Sequence, residues 1–240
     1  MWIESGVGWA SLAASAVMSS TPKKLAGIAA VVAVAGVLIG FYIVGVLMAG
    51  PQALHAATPG PAKSVDLTIQ TVAAAGPTLA ANPDWVSYFV RDAGGRWRHT
   101  TVWALPAHTV VHVTLYQFDG ASGLRNPFMA KVRGTLGNTM QVDGKTLGVI
   151  NPDDASHTFA VPQLGLLVPL RGVPDNAKNQ CSYGPCSLST AHETITFSFR
   201  TPGPGRYRWQ CFVPCAAGFL AGFGGPMQTL GYMDGFLNVS

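Results

Sequence analysis

The chain has 240 residues, of which only 11% are charged, and its mean hydropathy is +0.29. That length fits one core domain plus an appendage, and the low charge leans towards a membrane-associated protein. A net charge of +4 without a Lys/Arg stripe and interleaved aromatics argues against a nucleic-acid partner.

In chain order, residues 1–24 read as a short cytoplasmic tail. Met18 opens MSSTPKK and is an alternative start to Met1; no function attaches to residues 1–17. Residues 25–50 read as a transmembrane anchor. The run LAGIAAVVAVAGVLIGFYIVGVLMA is uncharged and, at about 1.5 Å per residue, reaches roughly 37 Å. Lys23 and Lys24 precede it and no charge follows until Lys63, so the N-terminus is expected in the cytoplasm and the rest outside. A cleaved signal is the rival reading, but the apolar run is long for one and ALHAA is a poor cleavage site. Either way the domain is exported. Residues 51–64, PQALHAATPGPAKS, read as a linker.

Residues 65–240 read as a globular extracytoplasmic domain. Gly 28 and Pro 17, with frequent β-branched residues, favour an all-β fold. Strand patterns cover 65–72, 85–90, 109–118, 157–161, 193–200, 206–212 and 235–239, separated by Gly, Pro, Asn and Asp clusters. Seven or eight short strands suggest a sandwich of two sheets. Two insertions, 119–153 and 173–191, interrupt the pattern; the first suggests a contact surface or a cover over a sheet edge.

Four cysteines stand in two short-range pairs. Cys181 and Cys186 lie among turn residues, where a local disulfide is the expected role. Cys211 and Cys215, in QCFVPC, follow an aromatic strand. They read as metal thiolates, as a disulfide within the pair or with Cys181 or Cys186, or as free thiols. Trp209, two residues before Cys211, shares its face by strand alternation. No Gly-x-Ser-x-Gly, Walker loop or His-Glu-x-x-His occurs, so independent catalysis is not expected.

Three segments carry a resemblance. SHTFAVPQLGLLVPLRG (Ser156–Gly172), TPGPGRYRWQCFVPC (Thr201–Cys215) and YMDGFLNV (Tyr232–Val239) together resemble cytochrome c oxidase subunit II around its dinuclear copper centre. The resemblance implies a cupredoxin-like β-sandwich preceded by a single N-terminal transmembrane helix. By position it gives His157 as an imidazole ligand, Cys211 and Cys215 as bridging thiolates and Met233 as the thioether, with a backbone carbonyl completing the family's set. The family's second histidine is missing: Phe219 and Leu230 occupy the corresponding positions, and Phe212, Val213 and Pro214 stand between the cysteines without the family's glutamate. An altered or mononuclear copper site would then draw on His157, Cys211, Cys215 and either Met227 or Met233, with His108, His112 or His192 as sources of a second imidazole. Thiolate, thioether and imidazole together select copper over hard cations. The resemblance also implies partners: an integral haem–copper oxidase or related respiratory membrane subunit, and a cytochrome c donor. A metal-free structural or assembly subunit and a copper-delivery protein are the alternatives.

Overall fold

The computed structural model describes residues 22–47, 52–123, 125–215 and 225–240. The readings at Met1, Met18 and Phe219 lie outside them. The chain divides into two units, residues 1–51 and 52–240.

In the first unit, α1 (Pro22–Tyr42) runs on into a π-helical turn, Ile43–Leu47. Lys24–Gly45, 22 residues and about 33 Å of helix, contains an 18-residue window with a mean hydropathy of 2.5, long and apolar enough to cross a membrane. Its described side chains are exposed all round, with no polar stripe, as a lipid-facing helix would be.

Among the described residues the second unit has thirteen strands: β1 (Thr58–Pro59), β2 (Val65–Val72), β3 (Ser87–Arg91), β4 (Trp97–Arg98), β5 (Val102–Leu105), β6 (Val110–Gln117), β7 (Met140–Val142), β8 (Lys145–Leu147), β9 (Ala155–Val161), β10 (Leu166–Arg171), β11 (Glu193–Arg200), β12 (Gly205–Gln210) and β13 (Asp234–Val239). They form an eight-stranded sheet in the order β4-β3-β2-β6-β11-β7-β8, with β1 added beside β2, and a five-stranded sheet in the order β10-β9-β12-β13-β5. The expected two-sheet sandwich is therefore the architecture.

Alternation explains how the sheets face one core. In β6, Val111, Val113, Leu115 and Gln117 are buried while His112, Thr114 and Tyr116 are half-buried on the other face. β11 pairs antiparallel with it from Glu193↔Gln117 to Arg200↔Val110 and turns Ile195, Phe197 and Phe199 the same way. From the smaller sheet come Trp103, Phe159, Trp209 and Leu237. Trp209 stacks on Trp103 at 4.9 Å and meets Tyr88 of the opposite sheet edge-on at 4.8 Å, contacts that add to the burial of their large apolar area. Gly235 lies across from Trp209 in the ladder. A β-carbon there would overlap the Thr101 carbonyl and come within 2.6 Å of the indole, so only glycine admits the Trp209 ring.

Strands β1, β4, β5, β7, β8 and β10 escape the sequence pattern. β10 is buried on nearly every residue because the first insertion closes on it: Arg133 pairs with Leu167 along its open edge, and the Pro127–Ala130 turn packs against it. Alternation vanishes when both faces are covered, and Pro169 is tolerated because β10 is an edge strand. The insertion also supplies β7, which extends the larger sheet beside β11. Within the stretch expected as a linker, Leu54 donates its N–H to Val102 and bridges Trp103, and Ala56 is buried.

Candidate metal centre

Two elements of the five-stranded sheet carry the site. His157 lies on β9, sharing parity with the core residues Ala155, Phe159 and Val161, so its ring points between the sheets. Cys211 directly follows β12, on the face of Trp209, and both are fully buried. The two strands pair at Gln210↔Ala160, which brings the end of β12 against the C-terminal part of β9. The loop after Cys211 then folds back, and the Cys211 and Cys215 sulfurs lie 3.1 Å apart.

The imidazole meets that sulfur pair directly. His157 Nδ1 is 3.2 Å from Cys215 Sγ and 3.9 Å from Cys211 Sγ, and donor atoms of the three residues all lie within 4.8 Å of one another. The Val213 carbonyl oxygen points at the same place, 2.8 Å from Cys215 Sγ and 3.3 Å from Cys211 Sγ. Backbone contacts hold the loop: Thr158 N–H donates to Cys211 Sγ at 3.4 Å, Phe212 N–H to Thr158 Oγ1 at 2.8 Å, and Cys211 N–H to the Met233 carbonyl at 3.0 Å.

The two methionines differ. Met233 is fully buried in the core cluster that includes Cys211 and against which Cys215 packs. Met227 is half-buried on the short turn Gly225–Gln228, where its carbonyl accepts from the Gln210 amide. Leu230 is partly exposed. The other histidines considered are engaged elsewhere. His112 Nδ1 bonds Ser198 Oγ, His192 packs against Tyr116 and Phe118, and His108 presents its carbonyl to Arg200. Among the described residues none of them joins His157.

The cysteine alternatives resolve in part. Cys181 and Cys186 form a disulfide, as expected, and Cys211 and Cys215 are free. Cross-pairing between the two is thereby corrected: the first pair is consumed within its own insertion, where the Cys186 N–H is also tied to the Gln70 side chain.

Sequence reasoning missed Asp119. Its Oδ2 sits 2.9 Å from His157 Nε2, on the side of the ring away from the sulfurs. Only a completed fold reveals this, since Asp119 is an ordinary acidic residue at the start of an insertion.

Electrostatics follow from that line of groups. Burial works against a charged His157, yet the Asp119 hydrogen bond and the Cys211 thiolate outweigh it and raise its pKa to about 9. Burial likewise opposes ionisation of Cys211, but hydrogen bonds from Cys215 and His157 hold its pKa well below the ordinary thiol value. Cys215 is pushed up, first by its hydrogen bond to Cys211 and then by burial. Burial raises the Asp119 carboxyl, and the His157 contact more than reverses that, leaving it low. Each group in this line is thus offset by the next, the Asp119 carboxyl by the imidazole and the imidazole by the Cys211 sulfur.

Two sulfurs, one imidazole nitrogen and a carbonyl, mostly buried and fixed by a β-sandwich, fit a soft or borderline metal ion. Copper meets that description, and the deprotonated sulfur needed to hold it is already favoured at Cys211.

No family model and no curated relative matches the chain. Among solved structures, rusticyanin from Thiobacillus ferrooxidans is similar at 15% identity and a TM-score of 0.30, covering 74% of this chain and 78% of that one. Auracyanin B is similar at 17% identity and 0.23, covering 80% and 98%. A multicopper oxidase is similar at 12% identity and 0.30, covering 76% and 45%. These likenesses are remote, and the site is read from its own residues.

Proposed function

We propose that the chain is a copper-binding electron-transfer protein whose globular domain is held at the outer face of a membrane by α1. The observation that carries this reading is the meeting of His157 Nδ1 with the Cys211 and Cys215 sulfurs within 4.8 Å of one another. Copper bound there supplies one-electron exchange between its two common oxidation states.

The chain's own residues do the rest. Cys211, His157 and Cys215 are the proposed ligands, with the Val213 carbonyl facing them. Met233 is the preferred thioether source because it shares the buried core with Cys211, and Met227 is the alternative. The surrounding aromatic core and the backbone bonds at Thr158 and Met233 keep the ligands from moving, and such rigidity suits electron transfer. His157 and Cys211 are almost wholly shielded from water, which discourages loss of the ion.

By its resemblance to oxidase subunit II, the domain would take electrons from a cytochrome c and pass them to an integral haem–copper oxidase or related respiratory subunit. The N-terminus would then lie in the cytoplasm. The altered ligand set would make the centre mononuclear or otherwise unlike the family's dinuclear one.

Copper titration of the reduced, full-length protein, followed by visible absorption and metal analysis, tests the reading. An electron carrier shows intense thiolate-to-copper absorption, reversible on reduction. Colourless, exchangeable binding of Cu(I) would instead indicate delivery. Retention of no copper, with co-purification of a haem protein, would indicate a structural or assembly subunit.

A further inference from the structure

We infer that Asp119 is a positioning residue of this centre: its carboxylate holds the His157 ring so that Nδ1, and not Nε2, presents its lone pair to the two sulfurs. The inference rests on the copper reading above and deepens it.

To bind a metal ion the His157 imidazole must be neutral, with one N–H and one lone pair. His157 is 3% exposed, so both nitrogens must be satisfied within the protein. Two arrangements would satisfy them. In one, Nδ1–H donates to sulfur and the site is closed to metal. In the other, Nε2–H donates to Asp119 Oδ2 at 2.9 Å and leaves Nδ1 free, 3.2 Å from Cys215 Sγ. A carboxylate can only accept, so Asp119 selects the second.

Asp119 is itself held from several sides. Its Oδ1 accepts the Gly120 N–H at 2.8 Å, and its carbonyl accepts from Val173 N–H at 2.9 Å and Gln117 Nε2 at 3.3 Å. Gly120 bridges Val173, and Gly172 packs so closely that a β-carbon would overlap the backbone of Gly120 and Ala121. Asp119 opens the first insertion and Val173 opens the second. The start of each insertion therefore helps to hold Asp119, the first through the Gly120 N–H on its carboxylate and the second through the Val173 N–H on its carbonyl.

The test compares the full chain with Asp119→Asn and Asp119→Ala. Copper affinity is measured by competition with a chromophoric chelator, the thiolate-to-copper band is recorded, and ¹⁵N NMR of the Cu(I)-loaded protein reports which His157 nitrogen carries the proton. The wild type is expected to show metal at Nδ1 and a slowly exchanging Nε2 proton. Asp119→Ala is expected to lose roughly 10–100-fold in affinity and to shift the band. Asp119→Asn, whose amide oxygen still accepts from Nε2–H, is expected to recover part of both, and it carries the test should the alanine variant fail to fold. Metal at Nε2 in the wild type, or variants that match it in affinity and band, would overturn the role of Asp119 while leaving the copper reading intact. A wild-type chain that takes up no copper would overturn the proposed function, and this inference with it.

Discussion

Two pairs of cysteines at nearly the same spacing do opposite things in this molecule. Cys181 and Cys186 are bonded to each other within a turn-rich insertion. Cys211 and Cys215 are unbonded, their sulfurs 3.1 Å apart and facing an imidazole. Spacing alone does not set the fate of a thiol; what faces it does. The Cys181 and Cys186 sulfurs lie 3.2 and 3.8 Å from the Tyr183 carbonyl oxygen, a neighbour that gives a thiolate no support. The sulfurs of Cys211 and Cys215 lie beside a histidine held up at a pKa of about 9, which stabilises a thiolate, the form a soft metal ion requires.

The sharpest way to break this contrast is Cys211→Ser. It is expected to abolish thiolate-to-copper absorption, whereas Cys181→Ser with Cys186→Ser leaves the band in place; equal loss from both would erase the distinction. Mass spectrometry of the unreduced, alkylated protein should find two blocked thiols, at Cys211 and Cys215. Trp209→Ala tests the support beneath the free pair. Emptying that fully buried site should cost about 3–5 kcal/mol in denaturant unfolding, and a loss below ~1 kcal/mol would mean the aromatic stack does not brace the site. Removing the disulfide with Cys181→Ser and Cys186→Ser opens only a short loop, so the expected loss is about 2 kcal/mol.

The smallest effect concerns Glu193, at the foot of the insertion that carries the disulfide. Burial, with Asp143 nearby, raises its pKa to about 7 from an ordinary 4.5, although Arg171 opposes the shift. A carboxyl raised on folding binds its proton more tightly in the folded chain. Its contribution is therefore complete below pH 4.5 and fades as pH climbs through about 7. Glu193→Gln should flatten that part of the melting-temperature profile; an unchanged slope would show that the proton is held elsewhere.

Much of the frame is legible in the residues. Patterns over 65–72 and 193–200 coincide with β2 and β11 to the residue, because β11 alternates core and outward faces throughout and β2 does so in its first half. β10 gives no such signal, since an insertion closes on it. β5 was hidden for a different reason. It joins its sheet through a parallel pairing with β13, at the far end of the chain, and four residues are too few for a period to show. At the centre, the thiols and His157 are chemically conspicuous, whereas Asp119 is indistinguishable in the sequence from any other surface acid.

The sequence by itself determined the local quantities: an apolar run long enough for a bilayer, the inward faces of the alternating strands, and soft ligands in the right order along the chain. Each depends on neighbours a few residues away. Only the tertiary structure decided which cysteines bond, which histidine meets them and which acid aims it. His157 is 54 residues from Cys211 and 38 from Asp119. Contacts at that range are fixed by strand register and by where two insertions close on each other, and both follow from packing the whole core.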